Sequence, residues 1–228
     1  RSVSRGRGDV YKRQTVTLCG DGELTITANG KNGIKSGATT DEDGEASLTI
    51  RDLTLNIDAP VNDAINAEQL LNVESGTLTI DATVPSDGTG GIVGYCGKGT
   101  ITGCGNTGGI GGKPSKTGGI AGQADDCQIA DCYNTGDLVL PWGAGDNNGG
   151  IAGLTYNATL ITRCYNTGTV TVEGSQAGGI CGQLNAGATI SSCYNAGKVG
   201  AKWNSGGIAG QSTDAEIIAC HNDGLIES

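Results

Sequence analysis

The chain has 228 residues and a formal net charge of −10 at pH 7, with 24 acidic side chains against 14 basic ones. This balance argues against a nucleic-acid partner, because phosphates are bound by Lys and Arg. The sequence contains no run of about 18 apolar residues, which is the pattern that would predict a membrane span. Glycine accounts for 42 residues while Phe and Met are absent, so a core must be filled by Ile, Val, Leu, Ala and Cys.

The first fourteen residues differ from everything that follows. They are basic and unperiodic, and their end, DVYKRQ at 9–14, resembles the translated end of a transposase adapter used in sequencing libraries. We predict that residues 1–14 are adapter-derived or disordered and lie outside the fold; the alternative is a basic N-terminal arm. On the adapter interpretation, the chain is a metagenomic fragment of a longer protein.

From residue 15 onward, short apolar alternations predict strands. They are rich in Thr, Val and Ile and are bounded by Gly, Asn and Asp: LTIT at 24–27, LTLNI at 53–57, TLTI at 77–80 and TVTV at 169–172. A helical solenoid is disfavoured because each interior Gly would cost about 1 kcal/mol relative to Ala. We therefore expect parallel β-coils with about three short strands in each coil.

Two glycine-rich phrases then recur in order five times. The first is GGIVG at 90–94, GGIAG at 118–122, 149–153 and 206–210, and GGICG at 178–182; the second is CGNTG at 104–108, CYNTG at 132–136 and 164–168, CYNAG at 193–197 and CHNDG at 220–224. The matching isoleucines are Ile34, Ile65, Ile92, Ile120, Ile151, Ile180 and Ile208. The fold class predicted is all-β, a single right-handed parallel β-helix over 15–228 with about seven coils of 27–31 residues.

The second phrase predicts three ladders along the stack. Its cysteines are expected to be buried free thiols, because stacked side chains point the same way and reach the torsion of a disulfide with difficulty: Cys104, Cys132, Cys164, Cys193 and Cys220. Disulfides between neighbouring coils are the alternative, since the spacing of stacked strands lies within the Cα range of such bonds. Its asparagines predict a turn ladder bonded through their amides. Tyr133, Tyr165 and Tyr194 form an aromatic ladder, either a sugar-stacking platform or simple packing.

Inserted loops are where ligand specificity is expected in a repeat protein. DLVLPWGAGDNN at 137–148 contains Trp142 and Asp146, and GKVGAKWNS at 197–205 contains Trp203. The two tryptophans either stack on a ligand or cover an open edge of a coil. We predict a ligand site on the face that carries Trp142 and Trp203, and no catalytic residues.

The recurring GGIAG and IxxCYNTG phrases of residues 90–228 resemble the GLUG motif, a short repeat of large bacterial surface and adhesin-like proteins. This resemblance implies an extracellular or cell-surface location and a glycan or a host or cell-surface protein as partner. It favours a non-catalytic module for adhesion or ligand presentation, without a cofactor.

Residues 15–89 resemble a different family. GELTITANGKNGIKS at 22–36 and SGTLTIDA at 75–82 are similar to a β-helical family described as carbohydrate-binding and associated with calcium and acidic plant polysaccharides. This resemblance implies an alternative function, calcium-assisted binding of acidic polysaccharide, for which Asp58, Asp63 and Asp87 are the candidate ligands. A polysaccharide lyase, with Lys31 or Lys35 as proton acceptor, is a third alternative.

Overall fold

A computed structural model describes residues 16–27, 33–36, 47–58, 65–67, 70–73, 76–81 and 87–227. These residues form β-strands joined by turns and loops, and no helix occurs among them. Every strand pair is parallel, which confirms the predicted parallel β-solenoid. A helix long and apolar enough to cross a membrane is therefore not found in the part of the chain that the structure describes.

The strands stack into six parallel sheets. The eight-stranded sheet contains β1 (Val16–Cys19), β4 (Ser47–Arg51), β7 (Leu70–Val73), β11 (Gly99–Thr102), β15 (Cys127–Ala130), β20 (Leu160–Thr162), β25 (Thr189–Ser191) and β30 (Glu216–Ile218). The seven-stranded sheet contains β3 (Ile34–Ser36), β6 (Ile65–Ala67), β10 (Val93–Cys96), β14 (Ala121–Asp125), β19 (Ala152–Tyr156), β24 (Cys181–Leu184) and β29 (Ala209–Ser212). The three-stranded sheet contains β2 (Glu23–Thr27), β5 (Leu53–Asp58) and β8 (Gly76–Asp81).

Among the described residues, three further sheets occur only from residue 87 onward, which we call the second part of the chain. The Tyr–Asn sheet contains β12 (Gly105–Asn106), β16 (Tyr133–Asn134), β21 (Tyr165–Asn166), β26 (Tyr194–Asn195) and β31 (His221–Asn222). The four-stranded sheet contains β17 (Leu138–Leu140), β22 (Val170–Val172), β27 (Val199–Ala201) and β32 (Ile226–Glu227). The Gly sheet contains β9 (Asp87–Gly90), β13 (Ser115–Gly118), β18 (Asn148–Gly149), β23 (Ala177–Gly178) and β28 (Ser205–Gly206).

The number of strands per coil changes along the chain. From β1 to β6 each coil has three strands, as predicted, but from β15 to β29 each coil has five. The prediction of three strands is therefore wrong for the second part, because the phrase CYNTG forms a two-residue strand of its own and is followed by another strand. Seven strands stack in the seven-stranded sheet, so about six turns of chain separate its first strand from its last.

The isoleucine series forms the centre of the main core. Ile65, Ile92, Ile120, Ile151 and Ile180 have no exposed surface, and Ile34 and Ile208 are partly buried at the two ends. The core extends without a break from Leu48 to Cys193, across the change near residue 90. A second, smaller core lies beneath the four-stranded sheet and contains Ile110, Leu138, Leu140, Val170, Val172, Ala177, Val199 and Ala201.

The double glycines are required by close packing. A Cβ atom added to Gly119 would lie 2.2 Å from the carbonyl oxygen of Gly150 and 2.4 Å from Cγ of Asn134. Real Cβ atoms do not approach other heavy atoms so closely, so no larger residue fits unless the neighbouring coil moves. The glycines thus let the asparagine ladder lie directly against the backbone of the Gly sheet.

The asparagine ladder is the continuous polar feature of the interior. Nδ2 of each asparagine donates to Oδ1 of the next, at 2.7 Å from Asn106 to Asn134, 2.7 Å from Asn134 to Asn166, 2.8 Å from Asn166 to Asn195 and 2.7 Å from Asn195 to Asn222. This confirms the predicted amide bonding. Left-handed backbone occurs at other positions, and one recurring set is the residue before each ladder cysteine: Gly103, Asp131, Arg163, Ser192 and Ala219 all have positive φ.

Candidate functional site

The two tryptophans lie in loops that stack on one another along the solenoid. Trp142 follows β17 and Trp203 follows β27, so they belong to coils separated by one intervening coil. In that intervening coil the loop after β22 contains Gly174, to whose carbonyl oxygen the backbone N–H of Lys202 donates at 3.0 Å. Trp142 is 63% exposed and Trp203 is 60% exposed, so neither indole is buried over the core.

Lys202 brings the two indoles together. Its Nζ lies 4.6 Å from the ring centroid of Trp142 and 4.6 Å from that of Trp203, so the two rings lie no further apart than twice that distance. We call Trp142, Lys202 and Trp203 the Trp–Lys–Trp cluster. Sequence reasoning selected both tryptophans but missed the lysine, although it directly precedes Trp203 in the sequence.

The surroundings of the cluster contain charges of both signs. Nζ of Lys113 lies 3.4 Å from where a Cβ atom of Gly143 would be, next to Trp142. Asp146 accepts hydrogen bonds at Oδ1 from the backbone N–H of Ser175, at 3.3 Å, and from its hydroxyl, which ties the first Trp loop to the following coil. Within the described ranges, Lys113 and Lys202 form no ion pair with a carboxylate.

The tyrosines form a strip along the outside of the Tyr–Asn sheet. The rings of Tyr133 and Tyr165 stack with centroids 5.3 Å apart, and those of Tyr194 and His221 stack 5.8 Å apart. The Tyr133 ring also covers Gly105. Each of these four rings therefore turns one face to its stacked neighbour, and that face is not open to a ligand.

One end of this strip has a hydrogen-bonded acidic group. Asp223 accepts a hydrogen bond from the Tyr194 hydroxyl at 3.0 Å and lies 2.8 Å from Nε2 of His221. The hydrogen bond to Asp223 raises the pKa of Tyr194. All three side chains are solvent-exposed, so this group lacks the enclosed, water-excluding surroundings in which acid–base catalysis is favoured.

The candidate calcium ligands fall largely outside the described structure. Asp63, like the proposed lyase residue Lys31, lies outside the described residues. Asp58 ends β5 and Asp87 begins β9, but only their backbone positions are described, as is the case for Lys35. Among the side chains that the structure does describe, no three His, Cys, Asp or Glu residues form a group that could hold a metal ion.

The cysteine ladder consists of free thiols. This confirms the prediction of free thiols that fill the core. Four ladder cysteines are buried, namely Cys104, Cys132, Cys164 and Cys193, and Cys220 at the end of the ladder is half-buried. Hydrogen bonding to Cys132 and burial raise the pKa of Cys104, and burial raises that of Cys181 to about 12. The thiols of Cys104 and Cys181 are therefore protonated and poorly nucleophilic near neutral pH. Within the ladder, hydrogen bonding to Cys104 and Cys164 lowers the pKa of Cys132, and hydrogen bonding to Cys164 lowers that of Cys193.

A disulfide joins two cysteines that lie outside the ladder. Cys96, at the end of β10, is bonded to Cys127, at the start of β15, with a Cα–Cα distance of 6.7 Å. Both cysteines are buried. Sequence reasoning missed this bond because the two cysteines occupy different positions of the repeat. Neither belongs to the recurring phrase that contains the ladder cysteines, and this difference could have indicated a separate role.

Comparison with known proteins gives one similarity. A family model described as "carbohydrate-binding domain-containing protein" matches residues 3–92, which include the coils whose sequence resembles such a family. No curated protein and no solved structure matches the chain. The match covers the first part of the solenoid, whereas the Trp–Lys–Trp cluster lies in the second part.

Proposed function

We propose that this chain is a non-catalytic carbohydrate-binding β-solenoid whose glycan site is the Trp–Lys–Trp cluster. The observation that carries the proposal is the pairing of two exposed indoles by Lys202 on one face of a regular stack. Exposed indoles bind sugar rings through their faces and their apolar area. The similarity of residues 3–92 to a carbohydrate-binding family supports the same class of ligand.

The cellular setting proposed is the outside of a bacterial cell. The resemblance of residues 90–228 to GLUG-type surface repeats supports a role in adhesion or ligand presentation. The Cys96–Cys127 disulfide supports an oxidising compartment, since such bonds persist mainly in secreted and surface proteins. In this setting the solenoid displays the cluster to a glycan of another surface.

The repeated positions support binding without catalysis. Isoleucine, cysteine and asparagine ladders fill the interior, and the acidic side chains near the cluster are exposed. Asp146 is hydrogen-bonded by Ser175, which favours a structural role for its carboxylate.

The test is isothermal titration against polygalacturonate, with and without a chelator. We expect Trp142→Ala and Trp203→Ala each to weaken binding about two- to twelvefold, the factor that corresponds to the stacking energy of one aromatic ring. Tyr156→Ala is the matched control, because Tyr156 is an exposed aromatic residue outside the cluster. Its affinity should equal that of the original chain.

Three results would overturn the proposal. Unchanged affinity in both Trp variants, combined with loss of binding on adding chelator, would favour the calcium alternative around Asp58, Asp63 and Asp87. Absence of binding to polygalacturonate and to every sugar of a glycan array would remove carbohydrate binding altogether. Formation of an unsaturated uronate product would instead establish a lyase.

A further inference from the structure

We infer that Lys202 is the positioning residue of this site and that the ligand is a sugar chain of at least two units lying along the solenoid axis across Trp142 and Trp203. The inference rests on the proposed function and adds the length and direction of the ligand. It is drawn from the spacing of the two indoles and from the position of the ammonium group between them.

The direction follows from the stacking of the loops. The backbones at Trp142 and Trp203 are two coils apart, which is about 10 Å along the axis at the usual strand spacing. Their ring centroids are no further apart than twice 4.6 Å, because each lies 4.6 Å from Nζ of Lys202. The coil between them has Gly174 at the position in contact with Lys202, so no side chain of that residue fills the gap. One sugar ring on each indole therefore requires a ligand that bridges two coils, which a single sugar unit cannot do.

The role of Lys202 follows from its contacts. An exposed indole normally samples several rotamers, and ordering it on binding costs conformational entropy. The ammonium group lies 4.6 Å from both ring centroids, so two cation–π contacts hold the indoles in one arrangement before the ligand arrives.

The first measurement needs no ligand. The chain has only two tryptophans, both in the cluster, so its intrinsic tryptophan fluorescence reports this site alone. We expect Lys202→Met to increase quenching by acrylamide, because the apolar variant lacks the charge that holds the indoles. Lys202→Arg should retain the original quenching, since a guanidinium also stacks on aromatic faces. Equal quenching in all three proteins would overturn the positioning role.

The second measurement uses oligogalacturonides of one to six units. Affinity should rise steeply once a probe reaches both indoles, and Trp142→Ala or Trp203→Ala should abolish this length dependence. Lys202→Met should lower the affinity for the long probes about fivefold to thirtyfold, the factor that corresponds to two exposed cation–π contacts. Lys202→Arg should retain most of the original affinity. Lys198→Met is the control, because Lys198 pairs with Glu227 at 2.8 Å.

The two failures are distinguishable. If the Trp variants bind polygalacturonate as the original chain does, the proposed function fails. If the Trp variants lose binding while affinity is independent of probe length, or while Lys202→Met binds normally, the proposed function stands and the inference about span and positioning is overturned.

Discussion

Each buried asparagine of the ladder makes more than one side-chain hydrogen bond, and this defines its role. Asn134 donates to the carbonyl oxygen of Gly136 at 2.8 Å and to Oδ1 of Asn166 at 2.7 Å, while accepting from Asn106. The side chain has no exposed surface. Because a buried amide is costly unless its donors and acceptor are satisfied, the ladder fixes the register of neighbouring coils as well as filling space.

Replacing Asn134 by alanine should destabilise the chain by about 1–3 kcal/mol, since buried amide groups of the adjacent coils lose their partner. Urea unfolding followed by circular dichroism measures the change. Asn222→Ala is the control: Asn222 is only half-buried and ends the ladder, so its loss should cost clearly less. Equal losses of stability at the two positions would contradict the conclusion that the hydrogen bonds of the buried ladder stabilise the fold.

Gly119→Ala should lower the free energy of unfolding by about 1–3 kcal/mol or more, because the new Cβ atom would lie 2.2 Å from the Gly150 carbonyl oxygen and overpack the core. Gly111→Ala is the matched control, since no heavy atom lies within 4 Å of the Cβ position there. Thermal melts of both variants compare them directly. A tolerated Gly119→Ala would mean that the Gly sheet can shift outward.

Among the structural elements, β10 and β15 are the pair joined covalently. The Cys96–Cys127 bond spans 31 residues of sequence and connects the seven-stranded sheet of one coil with the eight-stranded sheet of the next. The strands between them, β11 to β14, lie inside this covalent loop. A cross-link of this kind limits the opening of one coil relative to the next.

Removing this disulfide with Cys96→Ser and Cys127→Ser should lower stability by about 3–4 kcal/mol, as expected for a loop of this size. Hydrogen exchange over residues 93–130 should increase most. Cys181→Ser is a useful control because Cys181 is buried and unpaired. Equal exchange in the double variant and the original chain would show that stacking alone holds these coils.

The strands were predictable where side chains alternate or repeat, and less so elsewhere. The Ile series located the seven-stranded sheet, because one apolar residue per coil faces inward there. Ile34 and Ile65 lie in β3 and β6, whereas each later isoleucine directly precedes its strand. The pairing of Asn66 with Tyr95 puts Ile65 two residues out of register with Ile92. The split of each later coil into five short strands was not predictable, since two-residue strands such as Tyr133–Asn134 carry no alternation. The contact of Lys202 with both indoles depends on loop geometry, which no periodicity encodes.

At the scale of the whole molecule, the cysteines separate by environment. Seven are free and two form the disulfide, and among the free ones Cys19 is exposed. Titration of unreduced protein in denaturant should therefore give seven thiols, while native protein should react quickly only at Cys19 because the others are wholly or partly buried. A count of five or fewer in denaturant would show that additional bridges form.

The coils are stacked units of similar cross-section, and this has a consequence for how such a site can diversify. A recombination event that duplicates one coil between β18 and β27 would preserve the isoleucine and asparagine ladders, since each new coil brings its own members. It would also move Trp142 and Trp203 apart by about one strand spacing, or roughly 4.8 Å. The spacing of the two indoles would then depend on the number of coils between them, and one added coil would place Trp142 beyond the reach of Lys202.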